Sequence, residues 1–309
     1  MRIFSRKPKV RHKRAKKRYV LTLKGSEGRI LRYILMGIAA IVLIIILVNA
    51  FRVEKSLMDS AEIATIFDRG VLRVGVRGDL PGLAENGEGL EIELAKLLAG
   101  RVMSYYSGWD AKNDAALLNE VNSMTAAARL NDDSNDIAIA AMKRGASSRY
   151  AYSQTYYKDA CLIIVRRGDE KRPLENLAIG CIQSATTSSV YVTTSAMGEA
   201  LTAYISNHPD DKIEKMAFAS YDELMGALAN NTVDAIVLNE LGVKRLDVLN
   251  HFDFAVHEIQ LGDIDYAMAC LSSSPALAQI ADIMLNEMKA DGTLKALYEK
   301  YGLEYRLGD

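Results

Sequence analysis

The sequence predicts an α/β fold preceded by one membrane-spanning helix, and two observations carry that expectation. From about residue 70 onward, short Ile/Val-rich runs bounded by turn residues alternate with amphipathic helical stretches, a pattern that builds layered α/β structure with right-handed crossovers. Ahead of them, Tyr33 to Phe51 (YILMGIAAIVLIIILVNAF) is 19 residues without a charge, about the length that crosses a bilayer as a helix.

The charge distribution separates these two parts. Residues 1–32 hold 13 Lys/Arg against the single acid Glu27, so the remaining chain holds 25 Lys/Arg against 38 Asp/Glu. Basic residues stay on the cytoplasmic side of a span, which puts the N-terminus inside and everything after Arg52 outside. The competing reading is a cleaved signal peptide, for which Val48-Asn49-Ala50 offers a small-residue site, but the apolar run and its basic flank are longer than such peptides carry. No cysteine stands directly after the run, which argues against a lipoprotein anchor. The basic tail KPKVRHKRAKKR resembles a nucleic-acid patch only when taken alone; beside a span it sets topology and meets anionic lipid, so no nucleic-acid partner is expected.

Past the span, Arg52–Asp68 reads as a helical spacer with Leu57, Ile63, Ile66 and Phe67 on roughly one face, closed by Gly70. Val71–Val76 is a first strand, running through Gly78, Pro81 and Gly82 into an irregular loop that ends at Gly87 and Gly89. Leu90–Val102 is an amphipathic helix, a second helix is expected over Asn113–Arg129, and NDDSN then turns the chain into Ile137. Leu177–Ile182 is a buried strand followed by a Ser/Thr run and a helix; Tyr221–Ala229 is helical, Val233–Glu240 a strand, Asp265–Cys270 a strand, and Pro275–Tyr301 a helix.

The centre of the chain is Asp136–Gly168, where the apolar runs Ile137–Met142 and Ala160–Val165 flank a polar stretch holding Lys143, Arg144, Arg149, Tyr150, Tyr152, Tyr156 and Tyr157. Cations, hydroxyls and aromatic faces held between two strands suit a small anionic or zwitterionic ligand. The alternative is a solvated loop whose tyrosines cap the core.

Tyr152-Ser153-Gln154-Thr155-Tyr156-Tyr157 with Cys161–Val165, Gly89-Leu90-Glu91-Ile92-Glu93-Leu94, Gln183-Ser184-Ala185-Thr186-Thr187 and Val233–Asn239 together resemble, in order, the motifs of the extracytoplasmic solute-binding protein family 3, which serves polar amino-acid ABC transporters. The resemblance covers about residues 65–303. It implies a two-lobed, type II periplasmic-binding-protein-like fold: a basic cytoplasmic tail (1–32), a transmembrane helix (33–51), a helical spacer (52–68), lobe 1 (69–168 and 263–309) and lobe 2 (174–258), with ligand held between lobes that close by a hinge. It also makes a Cys161–Cys270 bridge conceivable, by placing those strands in one lobe; buried free thiols are the plainer reading of three cysteines, Cys161, Cys181 and Cys270, whose spacing fits no zinc motif.

The candidate ligand contacts are Arg77, Asp79, Lys143, Arg149, Ser184, Thr186, Thr187 and Asn239. A Ser/Thr run that opens a helix offers hydroxyls and unpaired N–H groups to a carboxylate or phosphate, and equally to ordinary capping. The resemblance makes Arg149 the counterpart of the family's carboxylate-binding Arg, sets Lys143 where a ligand-contacting Thr is common, and sets Asn239 where an Asp pairs a ligand's ammonium. An amide brings no charge to that contact. The family's stacking aromatic is missing from Pro81-Gly82-Leu83, and Arg77 stands where an acid often occurs. These departures point toward a more anionic solute, or none.

The resulting expectation is a non-enzymatic, membrane-anchored solute-binding protein outside the bacterial cytoplasmic membrane, single-pass with its N-terminus inside, partnered by a small polar solute and an ABC transporter permease or another membrane protein, and needing no cofactor or metal. The alternative is a ligand-sensing or scaffold ectodomain with a diverged pocket. A dehydratase on the same fold is the third reading: the chain has no nucleophile elbow or phosphate loop, and His208, His251 and His257 lie far from the expected pocket.

Overall fold

The computed structural model describes residues 26–308 apart from 111–112, 123–124, 186–191 and 195, and the chain divides into two units, Met1–Val53 and Glu54–Asp309. The expected span falls on α1 (Ser26–Met58), a 33-residue helix; within the span Ile34, Met36, Ile41 and Ile44 are exposed and apolar. The side chains of 43 and 45–51 lie outside the described residues. Among the described residues no helix is long and apolar enough to cross a membrane.

The expected spacer forms the end of α1 and then α2 (Ala61–Arg69), which buries Ile63 and Ile66. It stops because Gly70 takes a left-handed conformation (φ 78°) and returns its N–H to the carbonyls of Ile66 and Phe67, the usual glycine C-terminal cap. The chain then runs β1 (Leu72–Val76), β2 (Asp79–Leu80), β3 (Ala84–Glu85), α3 (Leu90–Met103), β4 (Ala116–Glu120), α4 (Thr125–Asn131), β5 (Ile137–Lys143) and β6 (Tyr150–Arg166). It continues through β7 (Ala178–Ala185), β8 (Val192–Thr194), α5 (Ala196–Asn207), β9 (Glu214–Phe218), α6 (Tyr221–Ala229), β10 (Ala235–Asn239), α7 (Glu240–Arg245), α8 (Val248–His251), β11 (Phe254–Leu271), α9 (Ala276–Ala290) and α10 (Thr293–Lys300).

The strands form one path, β4-β1-β5-β11-β6-β10-β7-β8, with β9 also paired to β7. β1 runs parallel to β4 and β5, and β7 parallel to β9 and β10; the inner strands β5 and β10 read as Ile, Val and Ala runs, as strands buried on both faces do. Two long antiparallel strands, β6 (17 residues) and β11 (18 residues), join the parallel groups. The first part of β6 pairs only with β11, while Cys161–Val165 also pair with β10. Register shifts in β11 between Val256 and Asp263 fall at this crossing, where bulges let the strands bend.

Three sequence expectations need correction. Asn113–Arg129 is not one helix: Ala116–Glu120 pairs in parallel with β1, leaving only α4 beyond it. Ala, Leu and Glu favour helix locally, but an open sheet edge beside β1 outweighs propensity. Tyr150–Tyr157 is strand rather than loop, confining the turn to 144–149. A Cys161–Cys270 bridge is ruled out, since all three cysteines are free and buried. Cys270 pairs with Ala151, ten residues from Cys161 along β6, so the two cysteines lie about 33 Å apart, where a disulfide tolerates less than about 7 Å.

Candidate functional site

Parallel strands place their C-terminal ends on one side of a sheet, and ligands of α/β folds collect there. Here β1 ends just before Arg77, β5 ends at Lys143, β7 at Ala185 and β10 at Asn239. The first two belong to one parallel group and the last two to the other, and β6 and β11 cross between them. The sheet therefore brings Arg77, Asp79, Lys143 and Asn239 to one junction.

Arg77 is buried, and its guanidinium grips Asp79 with two bonds, Nε to Oδ1 at 2.8 Å and Nη2 to Oδ2 at 2.9 Å. Arg245, at the end of α7, donates from Nη1 to the same Oδ2 at 2.6 Å, and its guanidinium carbon lies 5.3 Å from the centre of the Tyr221 ring. One carboxylate thus holds two guanidiniums from opposite sides of the crossing. Burial works against ionisation of Asp79, but its bonds to Arg77 and Arg245 and their charges outweigh that and hold its carboxyl below the ordinary range. A second pair crosses the same junction, Lys143 to Glu199 of α5.

Asn239 meets an acid that the sequence reading did not single out. Its Nδ2 donates to Asp159 Oδ2 at 2.5 Å; the Tyr266 hydroxyl donates to that oxygen at 3.0 Å, and Leu241 N–H donates to Oδ1 at 3.2 Å. Gly242 leaves room for the amide oxygen, since a Cβ there would stand 2.6 Å from Asn239 Oδ1. Asp159 is fully buried; desolvation pushes its carboxyl up to about 6, although Asn239, Leu241 and Tyr266 stabilise the anion. A lone acid inside the Tyr/Ile/Val run of β6 was a readable signal for Asp159. Arg245, Glu199 and Tyr221 carry no such local signal.

Beneath Arg77 lies Glu91, also fully buried. Its Oε1 accepts from the Tyr156 hydroxyl at 2.5 Å and from Ala141 N–H at 2.7 Å, while Oε2 has no partner. Ala141 has φ +50°, a left-handed conformation that costs a non-glycine residue about 1–2 kcal/mol. Glu91 and Tyr156 both accept the strained N–H into their hydrogen-bond network and so set the course of the last residues of β5 before Lys143. Burial pushes the Glu91 carboxyl up to about 7, opposed by these bonds and by the Arg77 charge.

The remaining candidates do not join this cluster. Arg149 is exposed and pairs through its carbonyl with Ser272 N–H, beyond Leu271, whereas Lys143 pairs with Tyr266. Those six residue steps along β11 separate the two positions by about 20 Å. Ser184 lies within β7, paired to Thr193 of β8, so it does not open a helix as expected; Thr186 and Thr187 lie outside the described residues. Elsewhere, a cavity of about 190 Å³ lies beside Arg69, Arg73, Asn135 and Asp136, and an open one of about 360 Å³ beside Arg144, Gly145, Tyr152 and Asp265. Among the described residues no group of His, Cys, Asp and Glu is placed to hold a metal ion.

A sheet built from two parallel groups joined by crossing strands, with charged side chains gathered at the crossing, defines a type II periplasmic-binding-protein fold. The family model for bacterial extracellular solute-binding proteins, family 3, matches residues 72–304, and the chain belongs to that family. Solved structures agree in fold. A mutant of ArgBP from T. maritima matches with TM-score 0.53 at 21% identity over 78% of this chain and 98% of its own. AbpA, an amino acid ABC transporter substrate-binding protein from Streptococcus pneumoniae bound to L-arginine, gives TM-score 0.52 at 20% identity over 78% and 100%. The ancestral amino acid-binding protein AncCDT-1, a precursor of cyclohexadienyl dehydratase, gives 0.52 at 19% over 78% and 99%. No curated protein matches the chain in sequence.

Proposed function

We propose that this protein is a membrane-anchored, extracytoplasmic solute-binding protein that captures a small polar solute, amino-acid-like or anionic, and presents it to an ABC transporter. The observation that carries the reading is the convergence of Arg77, Lys143, Asn239 and Arg245 on the junction between the two parallel strand groups, supported by Asp79, Asp159 and Tyr221. A solute seated there would touch both lobes and favour their closure, the general way such clefts couple binding to shape. Anchoring rests on the uncharged run Tyr33–Phe51 and its basic flank, and transport on the family.

The cluster binds rather than catalyses in this reading. Asp159 and Glu91 are carboxyls near the junction with raised pKa, yet Asp159 is tied to Asn239, Leu241 and Tyr266 and Glu91 to Tyr156 and Ala141, so both serve the framework in this reading. A second reading, a sensing or scaffold ectodomain with a diverged pocket, draws on one observation: Asp79 already engages the two guanidiniums that would face a solute.

The test is a thermal-stability panel of the detergent-solubilised full chain against amino acids, dicarboxylates, phosphorylated metabolites and short peptides. A ligand present at 100 times its Kd adds roughly 2.7 kcal/mol, a clear upward shift. Silence across the panel overturns solute capture in favour of the scaffold reading.

A further inference from the structure

We infer that Arg77 and Arg245 form a subsite for an oxyanion group of the solute, and that Asp79 is a resident carboxylate which competes for it. The inference rests on the solute-binding reading above and names the chemistry of the group recognised.

Three observations carry it. The first is an inverted burial: the Arg77 side chain is 9% exposed while its partner Asp79 is 43% exposed. A buried guanidinium requires an anion, so the anion here lies on the open side of the cation, where an entering carboxylate or phosphate would arrive. The second is the mounting of Asp79 on β2, a two-residue strand paired only with the two-residue β3. The hairpin itself is held by buried Leu80, Leu83 and Ala84, so the part able to move is the half-exposed Asp79 side chain, whereas Arg77 follows directly on the central strand β1. The third is valence. Asp79 takes Nε and Nη2 of Arg77 but only Nη1 of Arg245, and a guanidinium carries five N–H donors in a planar fork suited to carboxylate and phosphate. Arg245 also stacks over Tyr221, which holds its plane across the junction.

The consequence is an exchange. When an oxyanion enters, Asp79 swings off toward solvent and the anion bridges Arg77 on one side of the crossing to Arg245 on the other. Charge at Arg77 stays compensated throughout, which a site emptied of its anion would not allow. Asp79 thereby sets a threshold: a weakly held anion does not displace it, and a solute with further contacts to Lys143 or Asn239 does.

Isothermal titration of the full chain in detergent with succinate, inorganic phosphate and L-arginine, in the wild type, Asp79→Asn and Arg245→Gln, tests this. Asp79→Asn removes the competitor and should tighten succinate or phosphate at least tenfold. Arg245→Gln keeps Asp79 paired with Arg77, so folding is preserved, and should weaken the same anion at least tenfold. If L-arginine binds the wild type while anion affinity is unchanged in Asp79→Asn, the inference fails and solute capture stands. If no probe binds any of the three proteins, the inference fails as well, and the wider panel alone decides solute capture.

Discussion

Replacing Glu91 by Gln should make the protein more stable at alkaline pH and leave it unchanged in acid. Glu91 Oε1 accepts both hydrogen bonds that the carboxylate makes, from Tyr156 and Ala141, whereas Oε2 is buried without a partner. A glutamine keeps the accepting oxygen and replaces the orphan atom with an uncharged amino group. Burial moves the carboxyl from its ordinary 4.5 up to about 7. Because the folded-state pKa is raised, the contribution of this group to stability is complete below about 4.5 and is lost as pH climbs to about 7. That loss amounts to about 3 kcal/mol at pH 8. In a unit the size of Glu54–Asp309, 1 kcal/mol moves Tm by roughly 2–4 °C, so Glu91→Gln should melt roughly 6–12 °C above the wild type at pH 8, the two curves meeting near pH 4.5. Differential scanning fluorimetry across pH 4.5–8.5 measures this. Parallel Tm curves for the two proteins would refute a buried, ionising Glu91.

Other substitutions probe the framework around the junction. Gly89→Ala should cost more than about 3 kcal/mol, since Gly89 has φ 129° and an added Cβ would lie 2.2 Å from the Leu83 carbonyl oxygen; loss of soluble protein or a large drop in urea midpoint is the expected result, and wild-type stability would contradict it. Asp136→Ala leaves Arg69, Arg73 and the Arg73 N–H without their shared acceptor, a cost of about 2–3 kcal/mol visible as a fall in Tm. The thiols of Cys161 and Cys270 are buried and pushed up to about 12 by desolvation, and Cys181 is buried too, so an Ellman assay should read no reactive thiol in the native protein and three after denaturation. Release of product from a cyclohexadienyl acid by the purified chain would overturn the reading of the cluster as a binding site.

Much of this arrangement was legible in local sequence. Ile/Val runs marked β1, β5, β7 and β10, the helix Tyr221–Ala229 was read as such, and Gly70 marked the end of α2, because each of these signals acts within a few residues. The misreadings share one cause. Ala116–Glu120 becomes a strand only through its pairing with β1, and Tyr150–Tyr157 only through β11; neither partner is near in sequence. The same holds at the junction. Arg77, Asp79, Lys143 and Asn239 could be named from their positions after strands, but Asp79's second guanidinium lies 166 residues away at Arg245 and Asn239's carboxylate 80 residues away at Asp159. Arg149, chosen from its place in a motif, lies beside Ser272 rather than Lys143.

The most direct test of a cleft closing at this junction is the distance between its two sides, read by electron–electron resonance between spin labels at Leu117 and Leu249, both exposed; the native cysteines are buried and need not be removed. If the Asp79–Arg245 and Lys143–Glu199 pairs hold the lobes together, Arg245→Gln combined with Glu199→Gln should lengthen and broaden the distance distribution relative to wild type, and a solute identified by the thermal panel should narrow the wild-type distribution. Identical narrow distributions in both proteins, with and without that solute, would contradict a hinged cleft.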